Sequence, residues 1–350
     1  MFTPTLFFYL LLSSTFGITP IKLMSWWGFL PESTLTDLQK LNYKIDATLY
    51  RSNQIALGSI AAKTELYDIA ILSNSSYKIL NRHGYIKKNT LNQLRPNEYL
   101  KEIRALAPHC IPYIWSVTAY VSRGNILTPP PDTIFDFINL NKEKKKIRLI
   151  DEASEIFIRA MIDSKKKCTR SLEGHPYSIE KILSNCTESE LNSITDKFKG
   201  ISEKDFKSSI VFLKNNSKAA SYGWHGIGTR AIKTNKNISY FIPKNYPTIG
   251  ADFVCILNKS YSKKRLNSLI SFVKRITNKK NTKTLIEETF YFSPYKKTNS
   301  SSNQKIENLK KEAINFLKKE NYSIIREPVG ENQEKLNSWW KKIRFIKSEN

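Results

Sequence analysis

The 350-residue sequence has little of what metal centres, nucleophilic enzymes and membrane spans require. It has four histidines and four cysteines, with no Cys-x-x-Cys or Cys/His spacing suited to zinc. The motifs Gly-x-Ser-x-Gly and His-Glu-x-x-His and the P-loop are missing from it, so nothing indicates their chemistry. No stretch reaches the ~18 apolar residues of a membrane-spanning helix. We therefore expect no enzymatic activity, no cofactor and no metal.

Acidic residues are also few, because 31 Asp and Glu stand against 56 Lys and Arg and leave a formal charge of +25. Such a charge favours nucleic acid or an anionic membrane as partner. The lysines are scattered, however, and arginine, the usual base-reading residue, is sparse. We favour a compositional bias without functional meaning and expect no nucleic acid as partner.

The N-terminal residues 1–17 have the pattern of a secretory signal. An apolar run from Leu6 to Leu12 precedes small residues and a weak cleavage site at Gly17, which predicts export to the periplasm. The alternative is a short buried strand or helix, because no Lys or Arg opens the segment. In an oxidising compartment Cys168 and Cys186 could close a loop, and two thiols are the equal alternative.

Strand-then-helix units recur along the chain and predict an α/β protein with mainly parallel sheets. A strand is predicted at 21–26 and a helix after Pro31. The apolar segment 111–124 is typical of a strand buried on both faces. Residues 147–162 change from strand to helix at Asp151.

Three more segments complete this pattern. Residues 64–73 predict a strand that leads into a polar loop, Ser73 to Ser76. Residues 238–258 predict two strands joined by a turn, with Asp252 opening the second. A last helix is predicted at 305–319.

Six segments follow one another in an order that is typical of one protein family. They are YDIAILSNSSYKILNRHGYIKK, IPYIWSVTAYVSRGN, RLIDEASEIFIRAM, SYGWHGIGTRAI, PTIGADFVCILN and ETFYFSPY. Over residues 21–295 the chain resembles the spermidine/putrescine-binding periplasmic proteins of ABC importers. The resemblance implies a type II periplasmic binding protein fold, in which two lobes with mixed, mainly parallel sheets enclose a ligand cleft. The first lobe would comprise 18–122 and 253–300, and the second 123–252 and 301–350.

The same resemblance implies a cleft that binds spermidine, putrescine or a similar small organic cation. Its residues would be Trp26, Phe29, Ser73, Ser75, Glu152, Glu155, Trp224, Asp252 and Tyr291. Aromatic faces attract an ammonium group by ~0.5–2 kcal/mol, and carboxylates accept charge-assisted hydrogen bonds from it. By this resemblance the protein would be a monomer that delivers its ligand to an ABC permease in the inner membrane.

Several of these residues have a structural alternative. Glu152 and Glu155 lie near a helix start and could cap it. Asp252 could end a turn, but an acid before a buried strand is costly unless paired, which favours function. Trp224 could equally be a core residue. The residues interpreted as packing or rim are Trp27, Tyr67, Asp68, Trp115 and His225.

Three positions depart from the family pattern. The family usually has a tryptophan at the position of Gly250 and often has tyrosines at Phe29 and Ser75, so we expect a roomier and less polar pocket. One alternative function is a basic protein on the same scaffold that binds nucleic acid or anionic membranes and has a degenerate pocket. Another is a different small ligand, such as a metal chelate or a thiamine-like cation.

Overall fold

The computed structural model of the chain describes residues 19–94, 97–142, 146–170, 178–201, 205–206, 209–226, 237–297 and 304–345. The predicted signal peptide lies outside these ranges. Nine strands are described: β1 Ile21–Trp26, β2 Ile45–Tyr50, β3 Ile69–Ser73, β4 Ile111–Arg123, β5 Lys146–Leu149, β6 Ala219–Trp224, β7 Ile238–Phe241, β8 Thr248–Ile256 and β9 Ser323–Ile324.

Helices cover the sheet. The first seven are α1 Glu32–Lys40, α2 Asn53–Ala62, α3 Asn74–Arg82, α4 Lys101–Ala105, α5 Ile134–Lys142, α6 Ala153–Ser164 and α7 Lys167–Arg170. The next seven are α8 Ile179–Asn185, α9 Glu188–Thr195, α10 Ser209–Asn215, α11 Lys263–Ile276, α12 Lys279–Thr289, α13 Gln304–Lys318 and α14 Glu331–Arg344. Among the described residues, none of the helices is long and apolar enough to cross a membrane.

The strands form one sheet in the order β2-β1-β3-β8-β4-β6-β5, with β7 on β4 and β9 on β8. Strand β4 joins its two parts, because its residues 111–117 pair with β8 while residues 118–123 pair with β6. We call β1, β2, β3, β8 and β9 the first sheet region, and β5, β6 and β7 the second.

The predicted mixed α/β class is confirmed, but the sheet is less parallel than expected. Four of the eight described strand pairings are parallel. The others are antiparallel because β8 runs against β3 and β4, and β4 runs against β6 and β7. Strand β8 returns from the second sheet region to the first, which reverses its direction relative to β3.

Separate apolar clusters cover the two regions. One contains Phe157, Tyr222 and, from α14, Trp339. Another contains Met24, Trp115 and, from α13, Leu309. The two C-terminal helices therefore pack on different clusters, although both were assigned to the second lobe. The lobe boundaries themselves stay a prediction.

Most predicted elements are confirmed. The predicted strand at 21–26 is β1, and β4 is buried along almost its whole length. Two predictions are wrong in detail. Asp252 lies in the middle of β8 rather than at its start. Ser73 ends β3 and caps α3, since its hydroxyl accepts a hydrogen bond from the Ser76 N–H, so residues 74–76 form a helical turn rather than a loop.

The four cysteines form two disulfides. Cys168 and Cys186 are bonded, which decides between the two alternatives left open above. A second bond that was not predicted joins Cys110, just before β4, to Cys255 in β8 across 145 residues of sequence. Closing a long loop restricts the unfolded chain, so this bond should stabilise the first sheet region.

We expect the free energy of unfolding of the double variant Cys110→Ala with Cys255→Ala, measured in urea, to be about 2–5 kcal/mol lower than that of the wild type. Alkylation of the unfolded, unreduced wild type should leave all four cysteines unmodified. Reaction of Cys110 and Cys255 with the reagent before reduction would contradict the pairing.

Candidate functional site

A cavity of about 510 Å³ lies where the two sheet regions meet on β4. All nine residues implied by the resemblance line it: Trp26, Phe29, Ser73, Ser75, Glu152, Glu155, Trp224, Asp252 and Tyr291. The fold therefore brings together residues that are more than 260 positions apart in sequence. Their role as ligand contacts stays a prediction.

One side of the cavity is aromatic. The ring of Trp26 lies 4.4 Å from that of Tyr50 and 6.2 Å from that of Phe29, measured between centroids. Phe29 in turn meets Tyr291 edge-on at 5.6 Å. Gly28 has a φ of 80°, which lets the chain turn tightly between Trp26 and Phe29. We call Trp26, Phe29, Tyr50 and Tyr291 the aromatic wall of the cavity.

Trp224 forms a second aromatic surface over Gly250. A Cβ atom added at Gly250 would lie 2.7 Å from Cη2 of the Trp224 ring. Ser116 of β4 pairs with Gly250, and the neighbouring Thr118 pairs with Trp224, so the register of the sheet creates this contact. The space beside Gly250, which we expected to be open, is therefore occupied by the Trp224 ring.

A polar cluster lies at the start of α3. The hydroxyl of Ser73 donates to Oδ1 of Asn53 at 2.7 Å and lies 2.9 Å from the hydroxyl of Ser75. Asn74 accepts a hydrogen bond from the Ala251 N–H of β8 at 3.0 Å. These bonds hold the N-terminus of α3 against β8, beside the aromatic wall.

Two carboxylates project from the start of α6. Glu152 is the N-cap residue, but its side chain makes no capping hydrogen bond. Glu155 is 5% exposed, and its Oε2 atom has no hydrogen-bond partner within the described structure. The capping interpretation is therefore wrong for Glu152, and both side chains face the cavity.

Burial changes the ionisation of both groups. Desolvation, together with Glu327 and Asp151, raises the pKa of Glu152 to about 8. Desolvation first, and then Glu152 and Glu327, holds the pKa of Glu155 well above its usual range. An acid that loses its hydration without gaining a cation favours the protonated form.

Asp252 lies beside the aromatic wall. Desolvation raises its pKa to about 7, and the nearby Trp26 indole N–H offsets part of this effect. That N–H makes no hydrogen bond of good geometry in the structure. The Asp252 carboxylate and the Trp26 ring are thus neighbours without a well-formed hydrogen bond between them among the described atoms, and both face the cavity.

Glu327 was not predicted and supplies a further carboxylate. It follows β9 and lines the cavity, and desolvation raises its pKa. We call Glu152, Glu155, Asp252 and Glu327 the four cavity carboxylates. Within the described ranges, no lysine or arginine forms an ion pair with any of them. These four groups therefore have no ion-pair partner among the described residues, in a chain whose formal charge is +25. Arg51 also lines the cavity, and so does a fifth carboxylate, Asp151, which pairs with Arg344.

Other cavity residues escaped the sequence reasoning, although Trp27 had been interpreted as packing or rim. They include Trp27, Tyr50, Arg51, Asn53, Asn74, Asp151, Ser154 and Glu327. Tyr50, Arg51 and Asn53 end β2 and start α2, and a strand-to-helix transition there was a usable signal. Glu327 lies in the irregular stretch before α14, where no periodic pattern places a side chain.

Several residues interpreted as structural are deeply buried. Trp115 is buried and its indole N–H donates to the Ser293 carbonyl at 2.8 Å, while Asp68 pairs with Arg265 and Lys259. His225 was expected at the rim, but it is fully buried.

His225 connects β4 to the segment that carries Tyr291. Its Nε2 lies 3.0 Å from the Phe290 carbonyl, and the Val117 N–H donates to its Nδ1 at 3.3 Å. Burial lowers the pKa of His225 to about 3, so the ring is neutral. This histidine positions the neighbour of a cavity residue rather than facing a ligand.

Comparisons with known proteins agree on the fold. No protein-family model and no curated protein sequence matches the chain. A solved structure of a Listeria monocytogenes protein, named for spermidine/putrescine ABC transport, has a TM-score of 0.73 at 15% identity and covers 94% of this chain and 99% of its own.

Two other solved structures are also similar. The spermidine/putrescine substrate-binding protein of Streptococcus pneumoniae has a TM-score of 0.69 at 15% identity, over 93% of this chain and 100% of its own. A maltose-bound protein of T. maritima has a TM-score of 0.65 at 12% identity, over 93% of this chain and 99% of its own. The chain thus has the type II periplasmic binding protein fold, which alone does not specify a ligand.

The raised carboxylate pKa values predict a stability that falls with pH. Between the pKa of an acid in the unfolded chain and its higher pKa in the folded protein, only the folded protein keeps the proton. The free energy of unfolding therefore falls as pH rises from the unfolded-state pKa to the folded-state pKa. For Glu152 the window runs from its usual 4.5 to about 8. The loss should be on the order of 5 kcal/mol, since each pKa unit between these two values corresponds to about 1.4 kcal/mol. Thermal melts of the ligand-free protein should show Tm falling over this window.

Glu152→Gln should flatten that fall, and Glu334→Gln, an exposed control outside the cavity, should not. Equal falls in the wild type and Glu152→Gln would contradict the assignment.

The close contact between Gly250 and Trp224 predicts the effect of a single methyl group. Gly250→Ala would force the end of the Trp224 ring to move by several tenths of an ångström. Since only the far end of one side chain must move, stability should change little, whereas the shift of Trp224 into the cavity should alter its fluorescence and weaken ligand binding. Unchanged fluorescence and affinity would show that the ring does not depend on Gly250.

Proposed function

We propose that this chain is the periplasmic substrate-binding protein of an ABC importer and that its ligand is a polyamine, spermidine or putrescine, or a closely similar organic cation. The observation that carries this proposal is that the four cavity carboxylates beside the aromatic wall have no ion-pair partner among the residues that the structure describes. Unpaired carboxylates out of water are costly, and a bound cation removes much of that cost.

The mixture of groups fits a polyamine in particular. Such a ligand alternates ammonium groups with apolar methylenes. The rings of Trp26, Trp224 and Tyr291 can cover methylenes and attract cations, while carboxylates accept charge-assisted hydrogen bonds. A neutral sugar would satisfy the rings but leave the carboxylates uncompensated, which is why the maltose-bound neighbour is a weaker guide to this site.

The fold supports the role in transport, and the signal-peptide pattern of residues 1–17 supports export. The similar solved structures include proteins named for ABC transport and substrate binding, and none of those named above is called an enzyme. A ligand carried by such a protein is released to a permease, so an ABC permease of the inner membrane is the proposed partner. The N-terminal signal pattern and the two disulfides favour the periplasm as its compartment. The four cavity carboxylates favour a cation site over the degenerate-pocket alternative.

Calorimetric titration with putrescine, spermidine and spermine tests the proposal. At least one should bind, and Asp252→Asn should weaken it by about 1.5–3 kcal/mol, which is about 10- to 100-fold in Kd. Asp46→Asn, in the exposed part of strand β2, is the matched control and should bind as the wild type does. No heat and no thermal shift with any of the three amines would contradict the proposal.

A further inference from the structure

Helices α11 and α12 carry a dense set of cations. Residues 263–283 contain eight Lys and Arg and no Asp or Glu, whereas the whole chain has 56 Lys and Arg among 350 residues. Apolar residues of the same helices, among them Leu269, Phe272 and Leu285, are buried against the first sheet region. The two helices therefore have an apolar inner side and a basic outer side. We call their seven exposed cations the basic face: Lys263, Lys264, Lys274, Arg275, Lys279, Lys280 and Lys283.

Acidic groups neutralise only part of the basic face. Its three cations on α12 each form an ion pair with an exposed or half-exposed acid. Its four cations on α11 form no ion pair within the described part of the chain: they are Lys263, Lys264, Lys274 and Arg275. These four charges are therefore available to an anion from outside the protein.

Helix α1 extends the basic face. Asp37 of α1 pairs with Lys280 at 3.0 Å. The pKa of Asp37 is lowered by Lys280 first and also by Lys40 and Arg275, so all three cations lie around one carboxylate. A single acid shared by three cations leaves its surroundings positive.

The helix N-termini add to this positive potential. Lys263 and Lys264 lie in the first turn of α11, and Lys279 and Lys280 lie in the first turn of α12. Neither first turn contains an acidic residue. The helix dipole leaves a partial positive charge at each N-terminus, where acids are the favourable residues. The lysines at these two positions therefore reinforce the dipole charge instead of cancelling it.

The basic face is too long for one small anion. Helix α11 has 14 residues, which at 1.5 Å per residue span ~21 Å. Its unpaired cations lie near both ends, because Lys263 and Lys264 begin the helix and Lys274 and Arg275 lie in its last turn. A single phosphate cannot contact both pairs, whereas an extended anionic surface can.

The chemistry of the basic face favours a lipid bilayer over nucleic acid. Most of its cations are lysines, whose compact charge attracts phosphate but lacks the planar fork with which arginine reads bases. Single-stranded nucleic acid also needs exposed rings for stacking. Phe272, the one aromatic residue of 263–283, is buried. Anionic phospholipids present repeated negative charge over a surface and attract clusters of lysine and arginine.

We propose that the basic face holds the protein reversibly against a membrane that contains anionic phospholipid. None of its residues lines the cavity, so this contact is separate from the ligand site. The attraction is electrostatic, because the large exposed apolar side chains of the described chain lie outside α11 and α12. This inference goes beyond the proposed function and does not depend on which ligand the cavity binds.

Co-sedimentation of the full chain with vesicles of equimolar phosphatidylglycerol and phosphatidylcholine tests the proposal. The wild type should bind these vesicles in about 0.1 M NaCl and at least about tenfold more weakly in about 1 M NaCl, because the Debye length falls from ~10 Å to ~3 Å. It should not bind vesicles of phosphatidylcholine alone. Attachment through the apolar residues 1–17 would instead persist on phosphatidylcholine and at high salt, and that result would overturn the proposal.

Two quadruple variants separate the basic face from the net charge. The first replaces its four unpaired cations: Lys263→Gln, Lys264→Gln, Lys274→Gln and Arg275→Gln. The matched control removes the same charge at exposed lysines that cover the second sheet region and form no ion pair among the described residues: Lys181→Gln, Lys214→Gln, Lys218→Gln and Lys341→Gln. In about 0.1 M NaCl the first should bind the vesicles at least about tenfold more weakly, and the control should lose less than about twofold, because distant charges are screened.

Thermal melts check the folding of both variants, and Lys263→Glu with Lys264→Glu is a second test, because acids are favourable at a helix N-terminus. This pair should also bind the vesicles more weakly. Equal losses in the two quadruple variants, or no vesicle binding by the wild type, would overturn the proposal. Tighter binding to random-sequence duplex DNA than to the vesicles would assign the face to nucleic acid instead. Both quadruple variants should bind putrescine as the wild type does, so the proposed function is tested separately.

Discussion

Four carboxylates that have no ion-pair partner in the described part of the chain lie in one cavity, and the cost of that arrangement constrains the rest of the site. Each group loses hydration on burial, and Glu152 and Glu155 also repel one another, so their pKa values rise. Where these groups are ionised, such a cluster destabilises the folded protein. Its presence beside Trp26 and Trp224 is understandable if a cationic ligand supplies the missing charge, which is the reasoning behind the proposed polyamine site.

The sheet positions these groups. Strand β4 pairs with β8 along its first half and with β6 along its second, so Asp252 and Trp224 reach one cavity from different sheet regions. The C-terminal segment adds Glu327 from a third direction. Helix α6 and Ile325, two residues before Glu327, pack in one apolar cluster, whereas Phe253, next to Asp252, packs in another. Movement between the two regions would therefore change the distance between Asp252 and the glutamates.

The sequence predicts those strands, helices and cavity residues whose local pattern of apolar and polar residues reflects their place in the folded protein. The continuous apolar run of β4 identifies a strand buried on both faces, and the acidic residues after β5 mark the start of α6. The ordered resemblance then indicated nine residues, and all of them line the cavity. What failed depends on contacts between distant segments. The direction of β8, the Cys110–Cys255 bond and the place of Glu327 have no local signature, and the closure of Gly250 by Trp224 depends on strand register.

A polyamine carries more than one positive charge, and four carboxylates in one cavity favour such a ligand over a monoamine. Comparing butane-1,4-diamine with butylamine tests this most directly, because the two have the same carbon chain and differ by one amine. A charge-assisted contact contributes about 1.5–3 kcal/mol, so the diamine should bind at least about tenfold more tightly in calorimetric titration. Equal affinities for the two amines would contradict the account.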